Sequence, residues 1–279
     1  MRILVTNDDG IDSIGLHVLA RAMCALDGGH EIVVAAPNSE YSGASASLGA
    51  LHLIRPEVHV ARIEGCPASA VWSVTGPPAL CVMFSRLGAF GPPFDLVVSG
   101  INPGANVGRA VYHSGTIGAA LTGRSGGISG VAVSQSVSGL AVEGQAWDEA
   151  IRGQHWQTAA DVTRVMVQGL LDDMPADPVV LNINVPDVPL ADISSWSYGV
   201  VGTQLPRAMA GATLDPVPGH EGAFYVDMSW GEVKTLDPAT DGGIVERGEV
   251  SITYLTRLMH EHRDDLGTAT ANLDALLAR

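Results

Sequence analysis

The feature that most constrains this chain is the point where its first apolar run stops. Ile3-Leu4-Val5 is continuous and rich in β-branched residues, the composition of a parallel strand buried on both faces. It breaks off at Asn7-Asp8-Asp9-Gly10. Leu16, Leu19, Ala20 and Met23 then recur at helical spacing, Gly28-Gly29 closes that helix, and residues 31–37 supply a second strand. A βαβ unit is complete by residue 37. It commits the chain to an α/β sheet, because parallel strands need helical crossovers and must be covered on both faces.

The alternation persists. Pro77 suits an early helix position and residues 79–87 carry the helical pattern. Residues 94–99 read as a buried strand, 100–108 as a Gly/Asn-rich loop, 116–123 as a small-residue helix packed on a sheet, and 128–133 as a strand. The longest amphipathic helix is expected at 157–171, before a strand at 178–186 framed by prolines. The predicted fold is α/β: a Rossmann-like, doubly wound, mostly parallel sheet over residues 1–189. Residues 190–279 are expected to add a β-rich oligomerisation extension to the same domain. Its strands at 223–226 and 250–254 look antiparallel, and a helix at 266–277 ends it. Residues 199–222, crowded with Gly, Pro and Asp, read as a mobile or partner-exchanged arm.

Charge narrows the function. Fifteen Lys+Arg against thirty Asp+Glu leave a net charge of −15 over 279 residues, which excludes a surface built to neutralise a nucleic-acid polymer. A small anionic ligand stays compatible. Only one basic residue is a lysine, Lys234, and it lies far from any glycine-rich strand-to-helix turn. A P-loop is therefore excluded, and the first βα turn lacks G-x-G-x-x-G. A receiver would need a phosphoacceptor Asp at a central strand end, but Asp95 begins its strand. In haloacid-dehalogenase phosphatases a nucleophilic Asp stands where this chain has Asn7. Cys24, Cys66 and Cys81 show no metal spacing and read as buried, reduced thiols of a cytoplasmic protein. No apolar run approaches the roughly 18 residues of a membrane span, and the polar residues after Thr6 come too soon for a signal peptide.

In an open α/β sheet, ligands bind beyond the carboxyl ends of the strands. The residues to weigh are Asn7, Asp8 and Asp9 after the first strand, Glu40, Tyr41 and Ser42 after the second, and Asn102 and Asn106 after the strand at 94–99. Adjacent carboxylates repel and raise one another's pKa unless a cation sits between them. With oxygen donors and no His or Cys in these loops, that cation would be hard: Mg²⁺, Mn²⁺ or Ca²⁺. Capping of the helix that begins near Ser13 is the competing role for Asp9. Ser114-Gly115-Thr116 opens a helix, where free N–H groups and the dipole favour phosphate; helix capping would explain the same residues. His113 is beside that turn.

Assembled, these loops resemble the SurE family of survival-protein nucleotidases. The likeness rests on residues 1–11, Ala36-Pro37 with Ser42-Gly43-Ala44-Ser45, Ser99-Gly100-Ile101-Asn102 with Gly104, Asn106 and Gly108, Ser114-Gly115-Thr116, Asn182-Ile183-Asn184-Val185-Pro186, and Thr240-Asp241 with residues 250–253. The resemblance implies a divalent-metal-dependent phosphomonoesterase that hydrolyses nucleoside 5′/3′-monophosphates, with one cation per subunit and a homodimeric or homotetrameric, swapped assembly. It implies Asp8, Asp9, Ser42 and Asn102 as metal ligands, Asp8 and Asp9 as the catalytic pair, and Asn106, Ser114, Gly115 and Thr116 around the phosphate. The expected chemistry is in-line attack by an activated water, which Asp8 orients or deprotonates.

The chain departs from the family pattern where the leaving group would lie. Asn38-Ser39-Glu40-Tyr41 replaces basic residues before Ser42, Arg109-Ala110 replaces acidic ones after Gly108, and His113 replaces a tyrosine. Tyr41, Arg109 and His113 thus become candidate pocket residues. The alternatives are a phosphatase for a non-nucleotide or sugar phosphate, and a catalytically silent metal- or nucleotide-binding oligomer.

Overall fold

The computed structural model describes residues 1–137, 151–256 and 267–277. Its centre is a nine-stranded sheet ordered β3-β4-β2-β1-β5-β6-β7-β11-β8. The strands are β1 (Arg2–Thr6), β2 (Glu31–Pro37), β3 (Val58–Val60), β4 (Ala70–Val74), β5 (Leu96–Pro103), β6 (Ser129–Gln135), β7 (Val180–Val185), β8 (Trp196–Tyr198) and β11 (Val250–Leu255). From β4 across to β7 all neighbours are parallel. β3 and β11 run antiparallel to β4 and β7.

The period of two along each buried strand decides which face it feeds. Ile3 and Val5 of β1, Ile32 and Val34 of β2, and Leu96 and Val98 of β5 join one core with α1 (Ile14–Cys24) and α4 (Trp156–Asp172). Leu4, Val33, Ala35 and Val97 point the other way, into a core with α2 (Pro78–Arg86) and α3 (Gly115–Ser125). Each of the Val, Leu and Ile side chains contributes about 1.5–3 kcal/mol on burial. Two-sided burial is why these strands read as unbroken apolar runs instead of alternating ones.

The chain leaves β1 toward β2 and β4, then returns to place β5 on β1's other side. The switch point therefore lies between β1 and β5, and the residues that follow those two strands face one crevice.

Several expectations shift. The strand predicted to stop at residue 99 continues to Pro103, since Asn102 and Pro103 resume pairing with Ser134 and Gln135 of β6 after an irregularity that contains the cis Gly100–Ile101 peptide. Asn102 is thus on a strand, not in the predicted loop. The extension joins the sheet: β11, antiparallel to β7 as expected for 250–254, and β8 complete its edge. Residues 199–222 are not a structureless arm either. They contain β9 (Met209–Pro216), which pairs antiparallel with β10 (Phe224–Trp230) in a sheet of its own. β10 pairs with the backbone groups along one edge of β9. A short α5 (Asp241–Glu246) precedes β11, and α6 (Gly267–Leu277) stands where the terminal helix was expected, its predicted first residue Leu266 lying outside the described residues. No described helix is long and apolar enough to cross a membrane.

Candidate active site

The turn after β1 is held by its own side chains. Asn7 Nδ2 donates to the Gly10 carbonyl at 3.0 Å and to Ser13 Oγ at 2.8 Å, while Ser13 Oγ accepts from the Leu16 N–H and caps α1. Ser13, not Asp9, is the cap. That frees both aspartates, and the Asp8 carbonyl accepts from the Tyr41 N–H at 2.8 Å, tying the loop after β2 to this turn.

Asp8 is 2% exposed. Its Oδ1 accepts a 2.5 Å hydrogen bond from the Thr116 hydroxyl on α3. A Cβ on Gly115 would lie 2.8 Å from Asp8 Cβ and 2.9 Å from Oδ2, so only glycine lets the α3 N-terminus come this close. A methyl on Gly118 would fall 2.1 Å from the Ser45 carbonyl oxygen. Small residues in this helix thus admit two loops of the site, as the expectation of tight packing implied.

Burial holds Asp8 above the usual carboxylate range, partly countered by the Thr116 hydroxyl and N–H and reinforced by Glu40. Asp9 is pushed well above that range by burial, then by the charges of Asp8 and Glu40. Its Oδ2 is buried without a hydrogen-bond partner. Asp9, Asp12 and Glu40 line a cleft of about 300 Å³ with Ile14, Ile101 and Trp156, and no basic side chain is among its described lining residues. Asp12 and Glu40 are exposed, so the cost of gathered negative charge falls on Asp8 and Asp9.

The other candidates divide. Ser42 is exposed, and its hydroxyl donates to Glu40. Asn102 is half-buried, with Nδ2 donating to the Gly104 carbonyl at 2.6 Å. Asn106 Nδ2 donates to Ser134 Oγ, its N–H to Asn184 Oδ1, and its carbonyl accepts from Asn182 Nδ2. Ser114 Oγ accepts from the Ile117 N–H and caps α3. Both candidate phosphate side chains therefore have structural partners, and Thr116 donates to Asp8. Arg109 and His113 are exposed on and just after the 3-10 turn Gly108–Tyr112, where the His113 carbonyl accepts from the Ser45 N–H. Among the described residues no side-chain bond joins either to Asp8, Asp9 or Ser42.

Three residues gain roles that the sequence pattern hid. Asn182 and Asn184 lie on β7 and anchor the Asn106 backbone across the sheet's carboxyl edge. Buried Asp241 accepts from the N–H groups of Gly108, Gly202 and Gly242 at 2.8–3.2 Å. Both sets fall in motifs of the resemblance, but only the fold reveals what they hold. Glu40 was visible as a departure, not as a neighbour of both aspartates.

Residues 3–208 match the family described as survival protein SurE. The chain belongs to the SurE family. It is 36% identical over 254 residues to a 5′-nucleotidase SurE of Stenotrophomonas maltophilia strain K279a, covering 91% of this chain and 88% of the relative. A 5′-nucleotidase SurE of Synechococcus sp. strain JA-3-3Ab is 34% identical over 258 residues, covering 91% of both chains. The crystal structure of the SurE protein from Aquifex aeolicus superposes with a TM-score of 0.73 at 25% identity, covering 99% of each chain. The SurE fold thus extends beyond the family match, through the hairpin and the terminal region.

Asp8, Asp9, Ser42 and Asn102, the residues that the resemblance implies as ligands, carry oxygen donors of the kind a hard cation takes. Among the described residues no three His, Cys, Asp or Glu side chains gather within metal-binding reach, so a cation here would need the hydroxyl and amide oxygens beside the aspartates. The unpartnered, buried Asp9 Oδ2 fits that requirement.

Proposed function

We propose that this chain is a phosphoric monoester hydrolase of the 5′-nucleotidase type, acting on nucleoside 5′/3′-monophosphates. The observation that carries the reading is the Asp8-Asp9 pair at the β1/β5 switch point, with Asp8 buried against the N-terminus of α3 and Asp9 half-buried beside it. The relatives named 5′-nucleotidase SurE support the substrate class. Asp8, Asp9, Ser42 and Asn102 would hold one Mg²⁺ or Mn²⁺, which when bound neutralises charge on the phosphoryl oxygens and raises the acidity of water. The chain's own residues do the rest. Thr116 pins Asp8 Oδ1, so the carboxylate can present Oδ2 to a water and take its proton. The water oxygen bonds to phosphorus as the ester P–O bond breaks, and the departing alkoxide takes a proton from solvent. N–H groups at the start of α3 stabilise the equatorial oxygens.

A second reading, a SurE-like phosphatase for a non-nucleotide or sugar phosphate, is favoured by one observation. Glu40 adds negative charge to the cleft where the family pattern carries basic residues, so the leaving group meets a different set of charges from the one that pattern presents. Phosphate release from a panel of esters with Mg²⁺ or Mn²⁺ decides between them. Nucleoside monophosphates are expected to be hydrolysed fastest; equal or faster turnover of sugar phosphates would move the assignment. Metal binding with no phosphate released from any ester would mark a silent binding protein.

The same reading includes a homodimer or homotetramer. Phe224, Val226, Met228 and Trp230 of β10 face Pro216, Leu214, Ala212 and Met209 of β9, an apolar hairpin face whose strands are exposed throughout. A second copy would cover it.

A further inference from the structure

Two of the three cysteines meet, although 42 positions separate them. Cys24 ends α1, and Cys66 lies on a turn ahead of β4, its N–H donating to the Ile63 carbonyl at 3.2 Å. Their sulfurs are 3.4 Å apart. The expectation of three buried thiols is therefore wrong for this pair. Both are half-buried against the α1 side of the core, open to a small reagent, whereas Cys81 is wholly buried in the opposite core.

We propose that Cys24 and Cys66 are a redox-modification site, a thiol pair that closes to a reversible disulfide when it meets a low-molecular-weight disulfide. A bond requires the sulfurs to approach from 3.4 Å to about 2.05 Å, a movement on the scale of side-chain rotation. The surroundings assign the roles. A hydrogen bond from the Cys24 S–H, together with the Ala68 N–H and the Arg21 guanidinium, lowers the Cys66 thiol to about 7 against the effect of burial. The same hydrogen bond, then burial, pushes Cys24 up. Burial pushes Cys81 up to about 12, which leaves it inert.

Cys66 thiolate attacks one sulfur of the reagent, forming a mixed disulfide and expelling one thiolate. Cys24 loses its proton to solvent and attacks Cys66 Sγ, expelling the second thiolate. Two cysteines are oxidised by two electrons, and one reagent disulfide is reduced to two thiols. The link ties the end of α1 to the approach to β4, and the closed loop contains β2, Tyr41 and Ser42. The proposal rests on no part of the functional reading.

The test uses the full chain with oxidised glutathione, followed by mass spectrometry without reductant. Loss of two hydrogens and a linked Cys24–Cys66 peptide are expected, with a melting temperature raised by about 5 °C or more for a loop of this length, all reversed by dithiothreitol. Cys24→Ser is expected to trap the mixed disulfide on Cys66, and oxidation of the wild-type pair is expected to quicken as pH rises through 7 and the Cys66 thiolate forms. Cys66→Ser is expected to react far more slowly, and circular dichroism checks that each variant folds. A wild-type protein that stays reduced, a mixed disulfide that persists beside Cys24, or equal reactivity of the two serine variants would overturn it.

Discussion

The acid turn after β1 and the β9–β10 hairpin break the ordinary distribution of polarity in opposite directions. The turn places charge inside: Asp8 is 2% exposed, and Asp9 Oδ2 is buried without a partner. The hairpin places apolar side chains outside, with Val226 59% and Met228 62% exposed. Buried charge costs several kcal/mol unless compensated, and a contiguous apolar face marks an interaction surface. The two regions also differ in support. The turn is held by β1, the loop after β2 and α3, whereas among the described residues the hairpin's strands pair only with each other. Chemistry that needs fixed geometry belongs on the first, and contacts between copies suit the second.

The largest expected effect tests the turn. Asp8→Ala should lower metal-dependent phosphate release by about a thousandfold or more, the scale of losing a reacting group, with unchanged circular dichroism. Persistent hydrolysis would remove Asp8 from the mechanism. Gly115→Ala comes next. Its methyl would fall 2.8 Å from Asp8 Cβ, so the α3 N-terminus must retreat. A displacement on the order of 1 Å lowers turnover by about a hundredfold, while Gly118→Ala, which meets Ser45 instead, should preserve the Asp8 contact in a crystal structure.

Asp9→Asn should separate activity from stability. The unfolded carboxylate titrates near 3.8, and burial raises the folded value. The associated stability is complete below pH 3.8 and is lost as pH rises through the folded value. In chelator, the variant should therefore match the wild type in acid and exceed it by about 1–3 kcal/mol near neutrality, as read by thermal melts across pH. Mn²⁺ should raise the wild-type melting temperature and leave that of the variant unmoved. The smallest effect is expected on the hairpin. Serine at Val226 and Met228 should change subunit stability by no more than about 0.5 kcal/mol, yet reduce the mass measured by sedimentation. An unchanged mass would remove the hairpin from the proposed assembly.

Much of the site was legible because it obeys a positional rule. Asp8, Asp9, Ser42, Asn102 and Asn106 all lie at or just beyond the carboxyl ends of predicted strands, and a parallel sheet gathers those ends on one edge. What escaped was partnership. Nothing local marks Thr116 as the donor to Asp8, or Asn182 and Asn184 as the anchors of Asn106. Each bond joins elements that meet only after a crossover. The first strand of the hairpin escaped for another reason: Gly, Pro and Asp in residues 199–222 argued for a loop, while pairing with β10, part of which was expected as an antiparallel strand at 223–226, overrode that local preference.

By itself the sequence determined the class of fold, since short, β-branched apolar runs alternating with helical patterns fit a parallel sheet covered on both faces, and it determined which side chains could reach the sheet's carboxyl edge. The tertiary structure alone decided which of them meet. It set Asp8 against α3, added Glu40 to the cleft, joined β11 to β7, and brought Cys24 within 3.4 Å of Cys66. Periodicity is a local property that a chain carries along its length. Contact across a doubly wound sheet depends on the order in which strands are laid beside one another.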